Sequence, residues 1–108
     1  MATFGDFIES LKTEVIKFAE SSWDTYKNAA ISDGNAFIEK TKADLERWTK
    51  MLAQGDLTRD DFEWLIVGKK DLAELETLKQ AGLAKATLDK FTNGLIDTIV
   101  NTAFKVFL

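Results

Sequence analysis

Apolar residues recur at spacings of three and four along most of the chain, and apolar–polar alternation is not sustained anywhere. Such spacing places side chains on one face of an α-helix, whereas a half-buried strand needs alternation. The chain also lacks proline, the strongest helix breaker. The pattern therefore predicts an all-α fold, an antiparallel bundle of three or four helices with short connections. The expected helices cover about 3–31, 34–54, 58–81 and 84–107.

The first predicted helix begins with a capping box, in which Thr3 and Asp6 accept each other's backbone N–H groups. Its apolar stripe then continues at spacings of four and three through Phe4, Ile8, Leu11, Val15 and Phe18. The tetrapeptide Ser-Asp-Gly-Asn at 32–35 is typical of a turn. We therefore expect the first helix to end there and the second to begin directly after it.

Local end signals delimit the second and third predicted helices. Gly55 follows the last periodic residue of the second helix, as expected where a helix ends in a left-handed conformation. Thr58 and Asp61 form a second capping box, and Leu57 can pack on Phe62 as a hydrophobic staple. The acidic residues at 60 and 61 then lie in the first turn, where the helix dipole favours negative charge. Helix initiation thus explains this acidic cluster without a metal or a catalytic role.

The end of the third helix can be interpreted in two ways. Gly68 interrupts its middle, but one glycine costs a helix only about 1 kcal/mol relative to alanine, so the helix can continue through it. Gly82 fits a left-handed helix end, which places a turn between the third and fourth helices. No good N-cap follows Gly82, however, and the alternative is one long helix from Thr58 to the C-terminal residues.

Composition excludes much of the usual catalytic chemistry. The 108 residues, which we expect to form a single helical domain (1–108), include no Cys and no His. Thiolate nucleophiles, imidazole-based triads and the common zinc sites are therefore unavailable. We find no phosphate-binding glycine motif and predict no catalytic, cofactor-binding or metal-binding residues. The net charge of −4, without a basic segment, also argues against nucleic acid as a partner.

The C-terminal segment is the region that most clearly calls for a partner. It carries few charges and a wide apolar face, and four of its last five residues are apolar. Exposed large apolar side chains forgo about 1.5–3 kcal/mol each, so something should cover them. The cover can be the chain's own bundle, a second subunit or a membrane surface. Together with Trp64, a potential aromatic anchor, the predicted interface residues are Leu95, Ile99, Val100, Phe104, Phe107 and Leu108.

These observations favour a non-enzymatic helical protein that acts by association, as a self-assembling or adaptor subunit. The expected partner is a second copy or another helical protein, in the cytoplasm, since neither a secretory signal nor a transmembrane segment is evident. The alternative is a membrane-active helical protein, either pore-forming or interfacial. Interfacial helices usually carry Lys and Arg on their polar face, whereas the last helix carries mainly Asp and Asn there.

Overall fold

The computed structural model describes residues 2–108. Five α-helices follow one another: α1 (Phe4–Ser22), α2 (Lys27–Ala53), α3 (Arg59–Val67), α4 (Glu76–Gln80) and α5 (Lys85–Phe107). Two short 3₁₀ turns cover Asp24–Tyr26, between α1 and α2, and Lys70–Leu72, between α3 and α4. Within residues 2–108 there is no β-strand, and the fold is an all-α helical bundle, as the periodicity predicted.

The N-terminal helix α1 lies antiparallel to α5. Phe7, near the start of α1, contacts Phe107 at the end of α5, with ring centroids 5.7 Å apart. Phe18, near the end of α1, contacts Phe91 near the start of α5, with centroids 5.6 Å apart. Packing of both helix ends in this way buries the apolar stripe of α1 against the wide apolar face of α5.

The connecting stretch, residues 54–84, returns along α2 in the opposite direction. Asp44 pairs with Lys69 at 3.2 Å, and Lys40, one turn earlier in α2, pairs with Glu74 at 2.6 Å. Residue numbers therefore fall along α2 as they rise along the stretch. The connecting stretch is an interrupted helical segment that lies between α2 and α5. Together with α1, α2 and α5 it completes an antiparallel bundle of four segments.

The core runs through the whole bundle. All three long helices contribute to it, and α3 and α4 add a few anchors from the connecting stretch. The bulkiest fully buried side chains are Phe7, Phe37, Phe62, Phe91, Leu11, Leu45, Ile66, Leu78, Leu95 and Ile99.

Both predicted capping boxes are confirmed. At the start of α1 the Thr3 hydroxyl accepts from the Asp6 N–H at 3.2 Å, and the Asp6 carboxylate accepts from the Thr3 N–H at 2.9 Å. The same reciprocal box opens α3 at Thr58 and Asp61. Each signal requires only residues three apart in sequence, so tertiary packing has little opportunity to override it.

The predicted end of the first helix at 32–35 is wrong, because these four residues lie inside α2. The chain breaks earlier, at Trp23, whose indole is buried edge-on against Phe91 with centroids 5.3 Å apart. Gly34 is a packing residue: a Cβ there would lie 3.0 Å from a Val15 methyl and 3.5 Å from Leu95. The missing side chain thus lets α2 approach its neighbours closely, and Asp33 caps a distant helix, as described below.

The predicted third helix (58–81) is also interrupted, contrary to expectation. α3 ends at Val67, the 3₁₀ turn follows, and Leu75 has a left-handed backbone with φ of 53° immediately before α4. The expected turn at Gly82 is confirmed by its φ of 86°, which rules out one long helix to the end of the chain. α5 then starts after an extended Ala84 without a side-chain cap, in line with the missing N-cap signal.

Candidate association surface

Three predicted interface residues lie in the core of the chain's own bundle. Leu95, Ile99 and Val100 are all buried on α5. They are covered because α5 packs against α1, α2 and α3 at once. In this conformation these three side chains are not accessible to a partner. They are therefore removed from the set of interface residues predicted from the sequence.

The last apolar residues are partly covered by their own chain. Phe104 is half-buried beside Phe62, with ring centroids 6.1 Å apart, and the guanidinium of Arg59 lies 5.2 Å from its ring centroid. Phe107 is half-buried against Phe7. Leu108 is 57% exposed at the end of α5. The C-terminal segment is therefore helical to Phe107, and its phenylalanine side chains are partly covered by the chain's own bundle.

Among residues 2–108, Trp64 is the most exposed large apolar residue, at 75%. Its position follows from helical geometry: Phe62 and Ile66 turn inward and are fully buried, and a residue two places from each lies on the opposite face. Val67, one turn further along α3, is also exposed on this outer side. The short helix α3 thus presents an aromatic side chain to solvent instead of to the core.

Beside Trp64 lies a shallow hollow of about 400 Å³ between α2 and α3. We use the name Trp64 surface for the six residues that line it: Trp48, Trp64, Leu65, Val67, Gly68 and Lys69. One wall of the hollow is the nearly buried indole of Trp48. The backbone of Gly68, which carries no side chain, forms part of the remaining lining. An exposed aromatic group and a hollow therefore lie side by side on the same face.

Charged groups hold the Trp48 wall in place. The Arg47 guanidinium lies 5.6 Å from the Trp48 ring and the Lys69 ammonium lies 5.7 Å from it. Asp44 accepts from Arg47 at 2.7 Å and pairs with Lys69 at 3.2 Å. Cation–π contacts of this kind contribute about 0.5–1 kcal/mol each at exposed sites. The hollow thus has a preformed wall built from α2 and the end of α3.

The two ends of α3 differ in net charge: its first five residues include one basic and three acidic side chains (Arg59, Asp60, Asp61 and Glu63), whereas two basic residues and one acidic residue (Lys69, Lys70 and Asp71) follow its C-terminal end. Asp60 and Glu63 are exposed in its first half, and Lys69 and Lys70 follow its C-terminal end. Within residues 2–108, Asp60, Glu63 and Lys70 enter no salt bridge. Trp64 therefore lies between an acidic and a basic end, an arrangement that sequence reasoning did not recognise.

A second groove lies at the end of the bundle, where the start of α1 meets the ends of α2 and α5. Phe4, Thr49, Ala53, Val106 and Phe107 contribute to its lining. The phenylalanines here are half-buried and lie in a chain of ring contacts through Phe7. This groove has apolar walls but no fully projecting side chain comparable to Trp64.

A hydrogen bond from the Lys40 ammonium, together with its charge, lowers the pKa of the exposed Glu74 carboxyl below its ordinary value. This pair tethers the connecting stretch to α2 and lies on the protein surface. Among the described residues, no three acidic side chains converge as a metal site would require, and no helix is long and apolar enough to cross a bilayer.

Sequence reasoning missed one polar site entirely. Asp33, buried in α2, accepts hydrogen bonds from the backbone N–H groups of Thr77 at 3.1 Å and Leu78 at 2.8 Å. It thereby caps α4 from 44 and 45 residues away. The one available signal was an acidic residue on an otherwise helical segment, and its adjacent glycine suggested a turn instead.

These features define the class of protein: a small all-α bundle with one projecting aromatic surface. No protein-family model matches the chain, and neither the curated proteins nor the solved structures include a significant match.

Proposed function

We propose that this chain is a non-enzymatic helical protein that acts by association, as a self-assembling or adaptor subunit, and that the Trp64 surface is its contact. The observation that carries the proposal is the 75% exposure of Trp64. Tryptophan is among the residues most enriched at the energetic centres of protein interfaces. The proposal keeps the cytoplasmic setting expected from the sequence.

The free energy available from this residue supports the proposal. A large aromatic side chain can bury about 150–250 Å², and apolar burial contributes about 25 cal/mol per Å². Covering the exposed part of Trp64 therefore yields on the order of 4 kcal/mol before the costs of association. Val67 and Leu65 extend the apolar area around it.

The remaining predicted interface residues take a supporting role in this proposal. Leu95, Ile99 and Val100 stabilise the bundle from within, and Phe104 and Phe107 do so in part. Leu108 is 57% exposed at the end of α5, next to the half-buried Phe107. Trp64 is the larger and more exposed of these two side chains, and it adjoins the hollow between α2 and α3, which makes the Trp64 surface the stronger candidate.

The proposal can be tested by photo-crosslinking in the cells that naturally produce the chain. A benzophenone amino acid replaces Val67, at the edge of the Trp64 surface, and in a control it replaces Ile16, an exposed apolar residue on α1. We expect a discrete protein adduct from position 67, identified by mass spectrometry, and none from position 16. The position 67 adduct should disappear when Trp64→Ala is added.

Three results would overturn the proposal. Position 67 could give no discrete adduct, it could give the same adduct with Trp64→Ala, or it could react with lipid in place of protein. The last result would favour the membrane-associating alternative. Circular dichroism of each variant verifies that the helical bundle is retained.

A further inference from the structure

The Trp64 surface combines a projecting aromatic side chain with an adjacent hollow that has apolar walls. The Trp64 indole projects from α3, and the hollow beside it is lined by Trp48, Leu65 and Gly68. In a two-fold dimer both subunits use the same surface patch. If residue i of one subunit contacts residue j of the other, then residue j of the first also contacts residue i of the second. A projection and a recess lying side by side on one face meet this requirement.

We infer that a second copy of this chain occupies the Trp64 surface, with two α3 helices packed antiparallel about a two-fold axis. Each Trp64 indole then enters the hollow of the other subunit, near Gly68. The inference depends on the proposed function, because it names the partner at the same surface. It commits to self-association, and a different protein partner becomes an outcome of the test.

Charge complementarity supports the second copy and fixes the orientation. Glu63 precedes Trp64 on α3 and Lys70 follows the end of the helix, and neither enters a salt bridge within the described part of its own chain. An antiparallel pair brings Glu63 of each subunit toward Lys70 of the other. A parallel pair would place like charges together, which costs free energy at an interface. Glu63 and Lys70, which flank the Trp64 surface in sequence, are thus complementary across the two-fold axis in the antiparallel orientation.

The size of the surface determines the expected strength. α3 has nine residues and is therefore about 13 Å long, so the contact lies at or below the low end of stable interfaces, which bury about 1,200–2,000 Å² in total. We therefore expect a weak, reversible dimer with a dissociation constant on the order of 10–100 µM. The charged rim makes the association weaker at high salt.

Sedimentation velocity of the full chain, from about 1 to about 500 µM, tests this inference. We expect the average mass to rise from 12.1 kDa toward that of two copies. Trp64→Ala should raise the dissociation constant at least tenfold. The matched control Ile16→Ala removes a partly exposed apolar side chain from α1 and should leave the constant unchanged.

A charge-swap experiment tests the antiparallel orientation. Glu63→Lys and Lys70→Glu should each weaken self-association, because each homodimer then places like charges opposite each other. An equimolar mixture of the two variants should restore it, since both contacts of the mixed dimer pair opposite charges. A mixture no stronger than either variant alone would overturn the antiparallel pairing.

The inference and the proposed function fail in different ways. If the chain remains monomeric at all concentrations, or if Trp64→Ala dimerises as strongly as the natural sequence, self-association through this surface is wrong. The proposed function still stands in that case if position 67 crosslinks to a different protein in cells. If position 67 gives no protein adduct and the chain is monomeric, both are wrong.

Discussion

The long helices and the connecting stretch use their apolar residues differently. α5 buries nine of its 23 residues, whereas α3 buries two of its nine and exposes its tryptophan. α5 carries only five charged residues among its 23, against four among the nine of α3, yet the bundle itself buries the apolar face of α5. Apolar content alone therefore does not locate a contact surface. What matters is the apolar area that remains after the chain has packed against itself.

The largest expected effect is at the centre of the long helices. Phe91→Ala should destabilise the protein by about 3–5 kcal/mol, because it removes a fully buried ring that contacts Phe18 and Trp23. Trp64→Ala, in contrast, should change the unfolding free energy of the monomer by less than about 0.5 kcal/mol. Urea unfolding at low protein concentration measures both, and similar costs for the two variants would contradict the comparison.

An intermediate effect is expected where the connecting stretch is attached to α2. Asp33→Ala leaves the N–H groups of Thr77 and Leu78 without their acceptor, at a cost of about 1–3 kcal/mol. Amide hydrogen exchange should accelerate at these two residues more than in α1 or α5. Asp97→Ala, at an exposed position of α5, is the control and should leave the exchange pattern unchanged. Uniform acceleration of amide exchange throughout the bundle would show that the connecting stretch does not unfold independently of the other helices.

The smallest effect concerns the surface tether between Lys40 and Glu74. Because the Lys40 hydrogen bond lowers the pKa of Glu74 in the folded state, the ionised carboxylate stabilises the fold above its unfolded pKa. This stabilisation is lost as the pH falls through the lowered folded pKa. Glu74→Gln should therefore lower the melting temperature slightly at neutral pH and leave it unchanged in acid well below the lowered pKa of Glu74. A deficit that persists in acid would assign the effect to packing instead of charge.

Local sequence signals predicted the parts of the fold that local contacts determine. The capping boxes at Thr3 and Thr58 and the left-handed glycines Gly55 and Gly82 all match, because each involves neighbours in sequence. The positions around Gly34 do not match, because contacts with Val15 and Leu95 on other helices decide their conformation. No short-range pattern contains that information.

The candidate surface was predictable only in part. Trp64 stood out by residue type, and the structure places it on the outer face of α3. Leu95 and Ile99 carried an equally strong apolar signal but lie in the core. Helical periodicity identifies a face that avoids water, but it does not reveal whether the same chain or another one covers that face. Trp48 was expected in the core, and its second role as a wall of the hollow required the packing of α2 on α3.

The cap that Asp33 provides for α4 also orders the events of folding. A helix of five residues is too short to nucleate alone in water, and its external cap comes from a residue 44 positions away from Thr77. Such a contact forms only after a large loop has closed. We therefore expect α4 to consolidate late in folding, so that substitutions at Asp33 accelerate unfolding and leave the refolding rate nearly unchanged.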